Sequence, residues 1–354
     1  MSVRDLLGHL QHEIALPQIL ADLCVHSLIE QASCTDCVDA CPRDAWILND
    51  AELALDTDAC DGCGLCRPAC PQQAITHDYR LELRSFRDRK VALVACERAG
   101  VAGDGVVPCL NALDLPLLME VSRQGIGILL YSRGDCSACD RARNGLSFDE
   151  LAFNFQQLAE SHGFAGLTMQ AYSPLEWVRR REVLDDEPVG TEYSRRGFLR
   201  GLLGRTVEQG LQRFAGEVGE EFPLSLDDLL PAGAADGVYP NVPEIDPSHC
   251  SGCDACVKVC PRQAIVQQSD PPQYRVQARR CSGCKLCVDV CRDDAMVLKK
   301  WVYTAGQTVE LHPAVCTACG APFHRVTDLP GAREICQVCA AHGHHNRLYQ
   351  VLPG

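Results

Sequence analysis

No stretch of this 354-residue chain approaches the roughly 18 apolar residues that a membrane-crossing helix needs, and its best run, Ile126 to Tyr131, suits one short strand. Nor does the chain open on a basic region, an apolar segment and a cleavage site, so a cytoplasmic, reducing setting is expected. Phosphate-cradling loops are missing as well. Gly103 and Gly105 are followed by Pro108, and Gly125 and Gly127 by Leu130, so neither G-x-G-x-x-G nor G-x4-G-K-S/T occurs and no nucleotide or flavin site is indicated. No nucleophile stands beside a base. Positive charge is scarce: 33 Lys and Arg against 47 Asp and Glu leave a net charge of -14. That balance argues against nucleic acid as the main partner, and fits either plain solubility or docking on basic protein patches.

What the chain has in excess is cysteine, 24 residues in tight groups. Disulfide scaffolds of that density are short secreted chains, and this one is long enough for about two to four domains. The cysteines form a phrase that occurs four times. Residues 60 to 75 read CDGCGLCRPACPQQAI, residues 250 to 265 read CSGCDACVKVCPRQAI, and residues 281 to 296 read CSGCKLCVDVCRDDAM. The fourth copy, ending CTDCVDACPRDAW at Trp46, is damaged, with Gln31 aligned to the first cysteine. The copies pair off, and each spacer reads as a β-hairpin, around Asn49-Asp50 in one pair and around Asp270-Pro271-Pro272 in the other.

Three thiolates in C-x2-C-x2-C wrap one iron-sulfur cube, and the fourth comes from elsewhere. In the run C-x2-C-x2-C-x3-C-P the last cysteine serves the other cluster of a two-cluster module. The phrases thereby resemble bacterial two-[4Fe-4S] ferredoxins, present twice. The resemblance implies that Cys250, Cys253, Cys256 and Cys291 hold one cube, and Cys281, Cys284, Cys287 and Cys260 its companion. In the N-terminal module it assigns Cys60, Cys63, Cys66 and Cys41 to one cube, and only Cys34, Cys37 and Cys70 to the other. Cys24 is the candidate fourth ligand; the alternative is a core cysteine beside a [3Fe-4S] cluster. Zinc or disulfides at these positions fit the triple run poorly. Arg292 replaces the proline after the fourth cysteine, a positive charge expected to raise that cluster's potential.

Between the modules the pattern alternates: a strand at Val91 to Ala95, a helix near Leu113 to Arg123, a strand at Ile126 to Tyr131, a helix from about Phe148 to Ser161, and a strand near Leu167 to Ala171. This reads as a small α/β domain with a parallel sheet. Its Cys96, Cys109, Cys136 and Cys139 follow strand ends, where open sheets put their sites. The text Val94-Ala95-Cys96-Glu97, Val107-Pro108-Cys109 and Gly134-Asp135-Cys136 resembles the delta subunit of methyl-viologen-reducing hydrogenases. That family carries a [2Fe-2S] cluster and passes electrons between a hydrogenase and heterodisulfide reductase, which implies such a cluster at these four cysteines. A zinc site, or a C-x2-C redox pair with two bystanders, stays open. At the C-terminus Cys316-x2-Cys319 and Cys336-x2-Cys339 have the spacing of a four-cysteine zinc ribbon, with a rubredoxin-like iron as the alternative. His312, His324, His342, His344 and His345 read as surface or tail residues.

The expected architecture is α+β and multidomain, with two ferredoxin-like dicluster modules flanking a small α/β domain. Residues 1–85 form an N-terminal helix and dicluster module, 86–175 the α/β domain, 176–243 a helical and Pro/Gly-rich connector, 244–303 the second module and 304–354 the zinc-ribbon-like tail. The connector holds Arg179 to Arg181, which could dock an acidic partner, and a flexible run at Pro231 to Pro243. It also holds Ser194-Arg195-Arg196-Gly197-Phe198-Leu199-Arg200, which copies a twin-arginine export motif without the apolar segment that should follow. Functionally this describes an electron-transfer subunit without a substrate site of its own. Its partner would be a hydrogenase, a heterodisulfide reductase-like enzyme or a molybdenum oxidoreductase. An accessory protein that matures a redox enzyme, or a redox-sensing interaction protein, would be built from similar parts.

Overall fold

The computed structural model describes residues 16–49, 53–77, 80–87, 89–142, 147–186, 226–231, 236–326 and 334–342. The twin-arginine-like segment and His344 and His345 lie outside them. The chain forms two compact units, Met1–Ser27 with Thr35–Ser225, and Leu28–Cys34 with Leu226–Gly354.

In the first unit, strand β1 (Gln18–Ile19) and the hairpin β2 (Trp46–Leu48) and β3 (Leu53–Leu55) precede β4 (Ile75–Thr76), which pairs antiparallel with β1. Elements this short bury little carbon, so sulfur fills the core: Cys37, Cys41, Cys60 and Cys66 pack with Trp46 and Ile75. A sheet of β5 (Glu82–Phe86), β6 (Arg89–Cys96), β7 (Val106–Val107), β8 (Ile128–Ser132), β9 (Thr168–Ala171) and β10 (Asp185–Asp186) follows. Its order is β10-β5-β6-β8-β9, with β7 beside β6. Strands β6 to β9 are parallel and the two edge additions antiparallel. Residues 91–96 of β6 are buried without alternation, as a central parallel strand covered on both faces requires.

Helices Leu115–Arg123, Phe148–His162 and Pro174–Glu182 begin on Asp114, Ser147 and Ser173, whose side chains accept amides of the first turn. The last of them buries Trp177 completely against Val91, Leu93 and Leu130, with the indole N–H donated to the Leu130 carbonyl at 3.3 Å. The sheet and this helix thus draw in residues on either side of 86–175. Arg180 stacks over Tyr172 at 5.0 Å, and Arg181 donates to Glu82 at 2.6 Å, so the arginine run is partly engaged within its own unit.

Glu82 is 7% exposed and also accepts from Arg84 Nε at 2.7 Å. Burial raises its pKa, but the hydrogen bonds and charges of Arg181 and Arg84 outweigh burial and hold the carboxyl below its ordinary range. A depressed carboxyl stabilises the fold above its unfolded value of about 4.3, and that stability is lost as pH falls through the folded value. Glu82→Gln is expected to cost this unit about 3 kcal/mol near neutrality. Urea melts of both proteins should converge in acid.

In the second unit, β11 (Gly237–Ile245) pairs antiparallel with the nine-residue β14 (Met296–Thr304). The flexible tail expected at Pro231 to Pro243 is therefore corrected over Gly237 to Pro243. Tyr239, Val242 and Ile245 are buried, and a two-stranded ribbon has a free edge that tolerates Pro240 and Pro243. Strands β12 (Ile265–Ser269), β13 (Pro272–Val276) and β15 (Gln307–Glu310) form a three-stranded sheet, in which β12 and β13 are the hairpin read from the spacer. A further hairpin, β16 (His312–Val315) and β17 (Pro322–Arg325), leads into the terminal cysteines.

Candidate metal centres

All four cysteine phrases end in the same turn. Three residues after the last cysteine, Asp44, Gln73, Gln263 and Asp294 adopt φ of 50 to 56°. The next residue is alanine each time, at most 2% exposed. Its amide donates to the cysteine sulfur: Ala45 to Cys41 at 3.4 Å, Ala74 to Cys70 at 3.3 Å, Ala264 to Cys260 and Ala295 to Cys291 at 3.2 Å. An amide aimed at sulfur favours the thiolate, and no side chain larger than methyl fits at a site so buried. Sequence reading missed these alanines, although their recurrence four residues after the last cysteine was there to find.

No two of the cysteines are joined in a disulfide. In the second unit Cys250, Cys253, Cys256 and Cys291 line one hollow of about 320 Å³, open mouth included. Burial pushes the Cys250 thiol up to about 11, and neighbouring Cys253 and Cys291 add to the rise. Burial likewise takes Cys281 and Cys287 to about 12, both with Cys284 and Cys260 as close sulfur neighbours. The fourth cysteine of each phrase thus lies among the first three of the other. In the first unit burial raises Cys60, with Cys41 contributing, and takes Cys63 to about 12. Buried Cys66 is raised too, with Cys63, Cys60 and Cys37 near it. Clustered thiols with no disulfide cannot all ionise in the protein alone; a cationic iron core removes that cost, so the sulfurs fit such a group.

Trp46 packs in the same core cluster as Cys66, and its indole N–H acts on that thiol as a hydrogen-bond donor that favours the thiolate against the larger effect of burial. The matching residue of the second module is Ile265. A net hydrogen bond of about 0.5–1.5 kcal/mol corresponds to roughly 20–65 mV for a one-electron couple, and donors to sulfur raise the potential. Trp46→Phe should lower one cube's potential by that amount in an EPR-monitored titration.

Cys24 gains its place from strand register. In the second unit Ile245 pairs with Met296, five residues after Cys291, and Cys250 lies five residues after Ile245. In the first unit Ile19 pairs with Ile75, five residues after Cys70, and Cys24 lies five residues after Ile19. The flanking bonds match: Leu20 N to Ala74 O at 2.7 Å, and Asp246 N to Ala295 O at 2.8 Å. Cys24 is near Cys70, whose pKa is raised by burial first and by Cys24 among its neighbours. Intact phrases put left-handed residues at the second x of the first C-x2-C step and the first x of the next, as at Gly252 and Asp254, or Gly283 and Lys285. The damaged copy has Ser33 and Thr35 there, with Thr35 at φ -124°. Cys34 ends the segment Leu28–Cys34, which groups with the second unit, where Ser33 Oγ donates to Asp289 at 2.7 Å.

The middle cysteines gather at the carboxyl ends of β6, β7 and β8, with Cys96 closing β6, Cys109 just beyond β7 and Cys136 to Cys139 beyond β8. Burial takes Cys109 to about 11, with Cys96, Cys139 and Cys136 adding to it. A Cβ on Gly134 would lie 2.4 Å from the Arg98 carbonyl, so only glycine lets this loop approach. Its amide reaches the Cys96 sulfur at 3.3 Å.

Four sulfurs on one ion at about 2.3 Å lie roughly 3.8 Å apart, whereas sulfurs on separate irons of a cluster are more widely spread. Among the described residues, the quartet with single-ion spacing is Cys316, Cys319, Cys336 and Cys339, whose sulfurs lie within 4.8 Å of one another. Cys319 and Cys336 are 3.8 Å apart. The Cys336 amide donates to Cys316 at 3.2 Å and is the main reason the Cys316 thiol falls to about 6, ready to bind as thiolate. Nearby His324 is no surface residue: it bonds Asp254 at 2.9 Å, beneath the buried Tyr274.

Residues 249–296 match the family described as 4Fe-4S dicluster domain, and residues 53–76 match that described as 4Fe-4S binding domain. Ferredoxin-1 of Caulobacter vibrioides is 37% identical over 60 residues, 17% of this chain and 49% of that protein. The ferredoxin of Rickettsia felis is 46% identical over 41 residues, 12% of this chain and 38% of that protein. The chain spans about half or less of these curated relatives. It contains 4Fe-4S ferredoxin-type domains, and among its described residues no helix is long and apolar enough to cross a membrane.

Proposed function

We propose that this chain is an iron-sulfur electron carrier, relaying single electrons through four [4Fe-4S] clusters and a middle [2Fe-2S] cluster to or from a partner oxidoreductase. When bound, the clusters supply reversible one-electron storage. The protein's part is to fix them: Cys250, Cys253, Cys256 and Cys291 for one cube, Cys281, Cys284, Cys287 and Cys260 for the next, and Cys60, Cys63, Cys66 and Cys41 for the third. Cys24, Cys37 and Cys70 serve the fourth, with Cys34 supplied by the spacing of the phrase. The observation that carries this reading is the interlocking of sulfurs, in which Cys291 lines the hollow of Cys250, Cys253 and Cys256.

Cys96, Cys109, Cys136 and Cys139 are mutual neighbours outside single-ion spacing, which supports a two-iron cluster over zinc there. Cys316, Cys319, Cys336 and Cys339 have that spacing, which supports a structural zinc. The likeness of residues 94–136 to hydrogenase delta subunits favours a hydrogenase or heterodisulfide reductase-like partner. Anaerobic counting of iron, sulfide and zinc with an EPR-monitored titration tests the reading: roughly 16 irons from the cubes, two more from the middle site and one zinc are expected. Colourless protein with zinc throughout would refute it.

A further inference from the structure

Six charged side chains of the first unit, each within two residues of a candidate ligand, form one network. Arg141, 8% exposed and two residues after Cys139, is its centre. Its Nε donates to Asp61 Oδ2 at 2.9 Å, Nη1 to Glu97 at 3.0 Å and to the Pro108 carbonyl at 2.9 Å, and Nη2 to the Asp61 carbonyl at 3.4 Å. Asp61 lies between Cys60 and Cys63 and accepts the Cys63 amide at 3.3 Å; Glu97 follows Cys96, and Pro108 precedes Cys109. Around this centre Arg43 bonds Asp61 at 3.2 Å and Asp140 at 2.6 Å, and Arg98 bonds Asp140 at 2.8 Å. One guanidinium fork therefore ties the cube loop Cys60–Cys63 to all three segments that carry the middle quartet. Beside it Cys63 and Cys109, from two different centres, pack in one small cluster with Leu65 and Ala112.

We propose that the cube of Cys41, Cys60, Cys63 and Cys66 and the middle centre are direct electron-transfer neighbours through Cys63 and Cys109, with Arg141 as the positioning residue that sets their separation. The inference rests on the two-iron reading of the middle quartet. One electron leaves the reduced cube, which is oxidised, and enters the two-iron centre, which is reduced; no bond to a proton changes. Electronic coupling falls off exponentially with distance, so a small opening of this junction weakens it. Arg141 resists that opening because a planar fork holds several acceptors at once, which lysine cannot do.

The test uses full-length protein reconstituted anaerobically, reduced with dithionite and followed by EPR power saturation, as wild type, Arg141→Ala, Arg141→Lys and the exposed control Arg179→Ala. Wild type and control should give a two-iron signal relaxed and broadened by the neighbouring reduced cube. Arg141→Ala, at unchanged iron and sulfide, should lose that broadening and saturate as an isolated centre, and Arg141→Lys should fall between. An isolated-centre signal in wild type, or wild-type coupling in Arg141→Ala, overturns the inference while leaving the two-iron reading intact. A wild type without any two-iron signal overturns both. Should Arg141→Ala fail to retain both clusters, Arg141→Lys decides: weakened coupling supports the junction, and wild-type coupling overturns it.

Discussion

Cys24→Ala should convert one cube of four into a three-iron cluster, losing one iron per chain while the other three cubes stay whole. The loss is confined to one site because each cube draws on its own thiolates, and a cube short of one ligand sheds the iron it cannot hold. An oxidised-state EPR signal of a [3Fe-4S] cluster, absent from wild type, is the readout, with iron analysis beside it. The reason to expect this is the register that seats Cys24 five residues beyond the β1–β4 pair, where Cys250 stands relative to β11 and β14. Unchanged iron and an all-[4Fe-4S] spectrum would return Cys24 to the role of a core residue, and the fourth ligand would then have to come from elsewhere.

Cys336→Ser should strip the C-terminal metal and unfold its hairpin without removing iron from the cubes. Structural zinc binding contributes about 10 kcal/mol or more of apparent folding free energy in small zinc modules, and the short strands β16 and β17 have little else to hold them. Cys336 is a demanding position, since it offers a sulfur and also donates its amide to Cys316. Limited proteolysis should cut the variant within the hairpin of residues 312–325 where wild type resists, and zinc analysis should fall from one equivalent to none. The same hairpin carries His324 to Asp254 and Tyr274, and Gln337 donates to the Ser251 carbonyl at 3.3 Å. Gly252 is left-handed at φ +73°, and a Cβ there would lie 2.8 Å from the His324 carbonyl. The cluster loop Cys250 to Cys256 should therefore become more open to solvent in the variant, seen as faster bleaching of one cube in air.

Much of the site was legible in the chain because cluster ligation is a local matter. A tight C-x2-C-x2-C loop needs few residues between its sulfurs, so linear spacing encodes it, and the turn residues of both spacer hairpins stand in the text. Strands β6, β8 and β9 could be read from apolar runs for the same reason. Strand β11 could not: Pro240 and Pro243 look like tail, and only the long partner β14 makes an extended path favourable. The role of Arg141 was equally hidden, since its acceptors lie 33 to 80 residues away.

By itself the sequence determined the cysteine grammar, and with it which thiols a single loop can bring together, because thiol spacing limits what a loop can wrap. Tertiary structure alone decided which separate cysteine groups lie against one another. It set Cys63 beside Cys109 and gave Arg141 its distant acceptors, because sheet packing and buried ion pairs join residues whose separation along the chain carries no trace of their meeting.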